Sequence, residues 1–309
     1  MSALTANPNP QESPSPPTRG SAGTGTGPRA RKTSPLRRAI ALRPGTWLVW
    51  GIVVFFLVNL FGVIGTVLLD SFARTWFTGW LPRGYSGSNY SDAWSEFDLG
   101  QVMAITFEVS FLVVGISLLL GVPAAYALAR RSFPGKRAVM LLFVLPILVP
   151  PIAYGIPLAT VLYKFHLAGS LTGVVLANLV PSIPFVVYTM TPFIEQVDPK
   201  LEAAARMCGA PTRAVLGRII APLLLPGMLA AGILVLVRTF GMFELTFLTA
   251  GPTSQTLVVS LFSAVFSAGI RSAQSIDAMA VVYTGSMLVL LVLALRFVNP
   301  TQLVARTRD

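Results

Sequence analysis

Six long apolar runs separated by short polar stretches dominate the chain. They cover residues 46–69, 104–129, 138–163, 168–194, 219–247 and 275–298. Each exceeds the roughly 20 helical residues that cross a hydrocarbon core about 30 Å thick. The pattern predicts an all-α, polytopic membrane protein with six transmembrane helices folded as one bundle over residues 46–298. The first run lies too far from the start to be a secretory leader, and cleavage signals after it are poor, so it is expected to stay as an anchor.

Composition agrees with this pattern. Of 309 residues, 54% are apolar and 11% charged, against about a quarter charged in a soluble domain, and mean hydropathy is +0.71. An ordinary soluble enzyme is excluded. With one cysteine, Cys208, and one histidine, His166, neither an internal disulfide framework nor a Cys/His metal site is expected. Residues 1–45 are rich in Pro, Ser, Thr and Gly and read as a disordered basic tail. Gly23, Gly25 and Gly27 imitate a phosphate loop there, but no strand precedes them and no helix follows, so the run reads as linker. Residues 299–309 read as a second short tail.

The net charge of +11 matters through its distribution. Arg19, Arg29, Arg31, Lys32, Arg37, Arg38 and Arg43 precede the first run. Arg130, Arg131, Lys136 and Arg137 follow the second, Lys200, Arg206, Arg213 and Arg218 follow the fourth, and Arg296, Arg306 and Arg308 follow or end the last. All fall on one side if both termini are cytoplasmic, which is the orientation that the positive-inside rule predicts. The opposite side holds Arg74, Arg83, Lys164 and Arg271 with Asp70, Asp92, Glu96 and Asp98. The basic residues then face the anionic inner leaflet, and nucleic acid is not needed to account for them.

The third run carries Pro146, Pro150, Pro151 and Pro157 beside Gly155, the fourth carries Pro181 and Pro184, and the fifth opens with Pro222 and Pro226. Proline removes a backbone donor and bends a helix. Two readings stand: packing kinks, or bent helices that line a pathway.

The most informative stretch is DPKLEAAARMCGAPTRAVLGRIIAPLLLPG, residues 198–227, between the fourth and fifth runs. Leu201, Ala204, Ala205 and Cys208 follow helical spacing and predict one apolar stripe. Asp198 is placed to cap the helix, Glu202 lies in its first turn, and Gly209 ends it. Pro211 then starts a second short helix at a new angle. On its own the loop also fits an amphipathic segment lying on the headgroups.

This stretch resembles the signature loop of the inner-membrane permease subunits of binding-protein-dependent ABC importers, of the type I fold. The signature is Glu-Ala-Ala, three residues, Gly, nine residues, Ile or Val, one residue, Leu-Pro. Aligned on Gly209, Ala204 and Ala205 form the Ala pair, and Ile219 and Pro222 fall in place. Ala203 occupies the Glu position, with Glu202 one residue earlier, and Ala221 replaces the Leu before Pro222. The resemblance covers about residues 46–298, with the loop at about 198–222. It implies that Glu202, Ala203, Ala204, Ala205, Gly209, Ile219 and Pro222 belong to a coupling element that docks on a separate cytoplasmic ATPase subunit.

Further implications follow from the family. The chain forms half of a pore with a second permease subunit, the same or similar, in a bacterial inner membrane, and an extracytoplasmic solute-binding protein delivers the solute. ATP and Mg would be bound by the partner ATPase, since this chain has no G-x-x-x-x-G-K phosphate loop. No cofactor and no enzymatic activity are expected of the chain itself.

Charge at membrane depth normally faces a cavity. Glu108, Arg238 and Glu244, with Phe240 and Phe243, are therefore candidates for the solute path, the alternative being interfacial charges paired with loops. The run ELTFLTAGPTSQTL after the fifth span looks most like putrescine/spermidine-type permeases, which makes a polyamine or other small organic solute the expected cargo. Carbohydrate permeases share much of this plan. An ion-coupled secondary transporter would need inverted repeats and several intramembrane acids, and a non-transport scaffold leaves the loop unexplained.

Overall fold

The computed structural model describes residues 44–76, 79–266 and 272–297. Most of the expected tails 1–45 and 299–309, as well as Arg271, lie outside them. The chain divides into a first unit ending at Leu57, described from Pro44 onward, and a second unit, Val58–Asp309. Every named element is helical: α1 (Pro44–Ser71), α2 (Ser88–Glu96), α3 (Leu99–Arg130), α4 (Lys136–Leu148), α5 (Pro151–Lys164), α6 (Leu171–Glu195), α7 (Pro199–Met207), α8 (Thr212–Val215), α9 (Ala221–Phe240), α10 (Glu244–Thr249), α11 (Leu257–Phe266) and α12 (Ala273–Phe297). Among the described residues five helices are long and apolar enough to cross a membrane, or six if the bent pair α4–α5 is one span.

Two expected spans are not single helices. The third breaks between Leu148 and Pro151, where α4 and α5 meet at 99°. Val149 and Pro150 are extended, with ψ of 132° and 133°. The cause is local: the residue before a proline is driven out of the helical region, and Pro150 and Pro151 follow one another. The fifth was expected to reach residue 247 but ends at Phe240, and Glu244 opens the separate α10. Gly241 marks the break, where an added Cβ would stand 3.0 Å from Met287.

α3, α6 and α9 form the centre of the second unit, with α3–α6 the most extensive pairing. Val109, Val113, Val186, Met190, Ile194 and Val235 fill this core. A second cluster joins α2, α3, α9, α11 and α12 around Phe240, and a third joins α5, α6 and α10 around Leu245. Small residues allow the closest approach. A Cβ on Gly121 would fall 2.7 Å from Val186 Cγ1 and 3.3 Å from the Ile183 carbonyl. Two hydroxyls inside α6 are satisfied locally: Ser182 donates to the Asn178 carbonyl and Thr191 to that of Val187, both at 2.7 Å, as suits a helix where no water competes.

Gly121→Leu is expected to push α3 off α6. Overpacking of this kind costs about 1–3 kcal/mol, so the purified variant should unfold at lower temperature than the wild type.

Candidate coupling site and solute path

α7 is built by its sequence. Asp198 is extended, and its Oδ1 accepts from the Lys200 amide at 2.9 Å. Pro199 takes the first helical position, where a missing N–H costs nothing. At the other end the Ala210 amide reaches the Ala205 carbonyl at 3.1 Å and the Gly209 amide that of Arg206 at 3.0 Å. This Schellman closure requires a left-handed residue, and Gly209 has φ +80°.

The second short helix of the expected pair is not separate. Pro211 caps rather than begins it, and α8 continues through a π turn, Leu216–Ile220, into α9. One 29-residue helix therefore runs from Thr212 to Phe240. Pro222 explains the π turn. Its ring excludes the usual bond to the Arg218 carbonyl, and the widened turn lets the Ala221 amide bond to Leu216 instead. Ile219 lies within this turn, half-buried, and Pro222 follows it, exposed.

Most of the expected apolar stripe faces outward. Leu201, Ala203, Ala204 and Cys208 are exposed, Met207 is 87% exposed, and only Ala205 packs against the core. Glu202, 7% exposed, points in instead. Its carboxylate accepts from the Tyr126 hydroxyl at 2.6 Å. Arg130 Nε stands 3.0 Å from Oε1, an ion-pair distance, although the N–H is not aimed as a hydrogen bond requires. Arg206, one turn on, lies 3.8 Å from the other oxygen. Arg130 also donates to the Val197 carbonyl at 2.5 Å.

The end of α3 is thus tied to both the start of α7 and the segment before it. Tyr126 and Arg130 were not singled out as site residues from sequence. Their i, i+4 spacing puts them on one helix face, and that was the available signal. The outward face of α7 is left with small and apolar side chains, near the exposed Lys200 and Arg213.

The candidate path residues are only partly brought together. Glu108 is exposed on the α3 face shared with Phe111 and Leu112, away from the buried Ile105, Val109 and Val113. Phe240 is 0% exposed and packs between Phe107 and Tyr283, with ring centroids at 5.5 and 6.3 Å. It is core in this chain. Phe243 is half-buried, stacked on Phe247 at 5.1 Å and tilted against Phe262 at 4.7 Å, which in turn meets Phe266 at 4.4 Å. The 262/266 spacing on α11 is the signal that could have found these two aromatics.

Arg238 and Glu244 are both half-buried, on different helices, and both lie within electrostatic reach of Tyr154. Arg238 Nη1 is 3.5 Å from the Pro181 carbonyl, and the guanidinium sits 5.7 Å from the Phe185 ring centroid.

The family described as "Binding-protein-dependent transport system inner membrane component" matches residues 117–302. The sulfoquinovosyl glycerol transport system permease protein SmoH of Agrobacterium fabrum is 29% identical over 183 residues, 59% of this chain and 64% of that protein. The molybdenum transport system permease protein ModB of Escherichia coli K12 is 34% identical over 159 residues, 47% of this chain and 69% of that protein. Against SmoH, a Haloferax volcanii protein named as a probable molybdenum ABC transporter permease and the trehalose transport system permease protein SugB of Mycobacterium tuberculosis, the chain spans 64%, 61% and 57% of their lengths. A chain of a bacterial ABC transporter involved in import of the acidic polysaccharide alginate shares the fold, with TM-score 0.60 at 17% identity over 79% of this chain and 94% of that one. The chain belongs to the family of binding-protein-dependent transport system inner membrane components.

Proposed function

We propose that this chain is the membrane-spanning permease subunit of an ATP-driven importer, forming half of the solute path with a second permease subunit. The observation that carries the reading is the two-sided character of α7. One side is held to α3 through Glu202, and the other presents Ala203, Ala204, Met207 and Cys208 outward. A helix of small residues fixed at its back is suited to seat in the groove of a separate ATPase. Motion of that ATPase would reach α3, and through α3 the α6 and α9 packing, as rigid-body displacement. Both termini and α7 are cytoplasmic in this reading, in a bacterial inner membrane, and an extracytoplasmic binding protein supplies the solute. The chain hydrolyses no ATP itself.

For the solute, a polyamine rests only on Glu108, Glu244 and aromatic faces. Arg238 in the same region repels a polycation. The names of SmoH, SugB and ModB specify sulfoquinovosyl glycerol, trehalose and molybdenum for those proteins, and a carbohydrate is the better-supported second reading.

Ala204→Arg tests the docking face. The position is exposed, so folding and insertion should be unchanged, while co-purification with the ATPase subunit and solute uptake should each fall by at least about tenfold, the equivalent of about 1.4 kcal/mol of lost docking energy. Wild-type association would remove α7 as the docking element.

A further inference from the structure

Between α3, α4 and α6 lies an open groove of about 570 Å³, walled mostly by Leu128, Met140, Leu141, Val144, Val187 and Tyr188. Thr191 also lines it, but its hydroxyl is already given to the Val187 carbonyl at 2.7 Å. Two charges stand at one end. Arg137 belongs to the first turn of α4, and Glu195 is the last residue of α6. Both are exposed. Arg137 also lines a second hollow of about 340 Å³, shared with Ser132, Phe133, Gly135 and Lys136, so the two cavities meet at its side chain. Among the described residues every ion pair involves Glu202, and Lys136, Arg137 and Glu195 are in none.

The charged end coincides with a membrane boundary. α3 ends at Arg130, α4 begins at Lys136 and α6 ends at Glu195, so the three helices leave the hydrocarbon together on the side where α7 begins. From Arg137 to Val144, α4 rises about 10 Å, which fits within the roughly 15 Å of hydrocarbon in one leaflet. We propose that this groove holds one glycerophospholipid of that leaflet, a phosphatidylethanolamine, with its phosphate on Arg137 and Lys136 and its ammonium on Glu195. The inference needs the membrane-spanning fold and is independent of the importer reading.

Each part of the occupant follows from the lining. An acyl chain lies along Met140, Leu141, Val144 and Val187, at the depth where hydrocarbon is the solvent. The phosphate accepts charge-assisted bonds from the Arg137 fork and the Lys136 ammonium, as basic pockets between spans hold lipid headgroups. A wholly anionic headgroup would answer both cations but bring negative charge against Glu195. A primary ammonium donates N–H bonds to the Glu195 carboxylate, which a quaternary choline has no N–H to make. The zwitterion with a primary amine satisfies all three side chains.

The test uses the full-length chain, purified in dodecyl maltoside and delipidated. It is titrated with palmitoyl-oleoyl phosphatidylethanolamine, phosphatidylglycerol and phosphatidylcholine, and with glycerophosphoethanolamine, the same headgroup without acyl chains. Native mass spectrometry counts bound lipid, and thermal unfolding is read beside it. One lipid should be retained per chain, phosphatidylethanolamine at least about threefold more tightly than the other two, the scale of one exposed charge pair. Arg137→Gln should weaken it at least about fivefold, while Arg137→Lys keeps most of the binding. Glu195→Gln should remove the preference over phosphatidylglycerol. Val144→Trp, which fills the inner end of the groove, should abolish retention of all three lipids. Arg131→Gln, exposed and outside both hollows, should change nothing. Unliganded unfolding temperatures near that of the wild type show that the variants fold.

Equal retention of the three lipids, tighter retention of phosphatidylglycerol, unchanged binding in Arg137→Gln, or an equal loss in Arg131→Gln each overturns the proposal. Binding of glycerophosphoethanolamine as tightly as the lipid also overturns it, since the acyl chain would then contribute nothing. So does a two-chain species that retains no lipid, which would give the groove to a second copy. No ATPase subunit or solute enters these measurements, so their failure leaves the docking role of α7 standing, and failure of docking leaves the lipid site standing.

Discussion

Arg130→Gln is expected to lower both stability and uptake severely, and the double variant Arg130→Gln/Glu202→Gln to regain much of the loss. The Arg130 and Glu202 side chains are 14% and 10% exposed and stand 3.0 Å apart. Removing one partner of a buried ion pair strands the other charge, at a cost of about 3–5 kcal/mol. With Arg130 gone, the Glu202 carboxylate keeps the Tyr126 hydroxyl but its remaining cation, Arg206, is 3.8 Å away and largely exposed. Glu202→Gln strands Arg130 in turn. The neutral pair removes both desolvated charges, so the cycle should show a favourable coupling, within the 0.5–3 kcal/mol seen for residues in direct contact. Unfolding temperature and uptake of the four proteins measure it. Additive losses would mean that the two residues act independently and that α7 is not tied to α3 through them.

The second large effect is expected at Gly209. Its φ is +80°, and a Cβ built there meets nothing within 4 Å. A side chain would therefore be opposed by the backbone conformation alone. For a β-branched residue that conformation costs roughly 1–2 kcal/mol, enough to open the closure made by the Gly209 and Ala210 amides on α7. Gly209→Val should insert and fold, yet lose solute-stimulated ATP hydrolysis and uptake in the assembled complex. Gly209→Asn, which tolerates the left-handed region better, should keep most of both. If Gly209→Val retains wild-type stimulation, the geometry of α7 is not what couples the two subunits.

These two positions also mark what could be read from the sequence. Gly209 and Asp198 were legible because their work is local: a cap and a left-handed turn depend on neighbours a few residues away. The long apolar runs were legible because length alone decides whether a helix can cross a bilayer. The tie at Glu202 was not. Helical periodicity sorts residues by polarity and so grouped Leu201, Ala204, Ala205 and Cys208 into one stripe, without saying which way Glu202 turns. A carboxylate turns inward only because Tyr126, 76 positions earlier, and Arg130 are waiting there, and no local pattern contains that distance.

The same limit applies to the spans. Pro150 and Pro151 announced a bend, but hydropathy runs across them unchanged, so the 99° break was invisible as such. The fifth apolar run continues past Gly241 into α10, and nothing in its composition separates the two helices. Phe240 and Phe243 read alike in sequence, as aromatics beside charges. Their different fates, one enclosed by Phe107 and Tyr283 and the other stacked on Phe247 and Phe262, come from tertiary packing alone.

The claim at the centre of this account is that the outward face of α7 seats on an ATPase subunit. Cys208 reports on it without any substitution, as the single cysteine of the chain and an exposed one at the end of α7. The measurement is the rate at which a maleimide labels Cys208 in the chain alone and in the complex with its ATPase subunits, with Cys208→Ala as the control. The account predicts rapid labelling of the chain alone and slowing in the complex by at least about tenfold, a free-energy difference of about 1.4 kcal/mol in access to the thiol. Equal rates in the two states would contradict it.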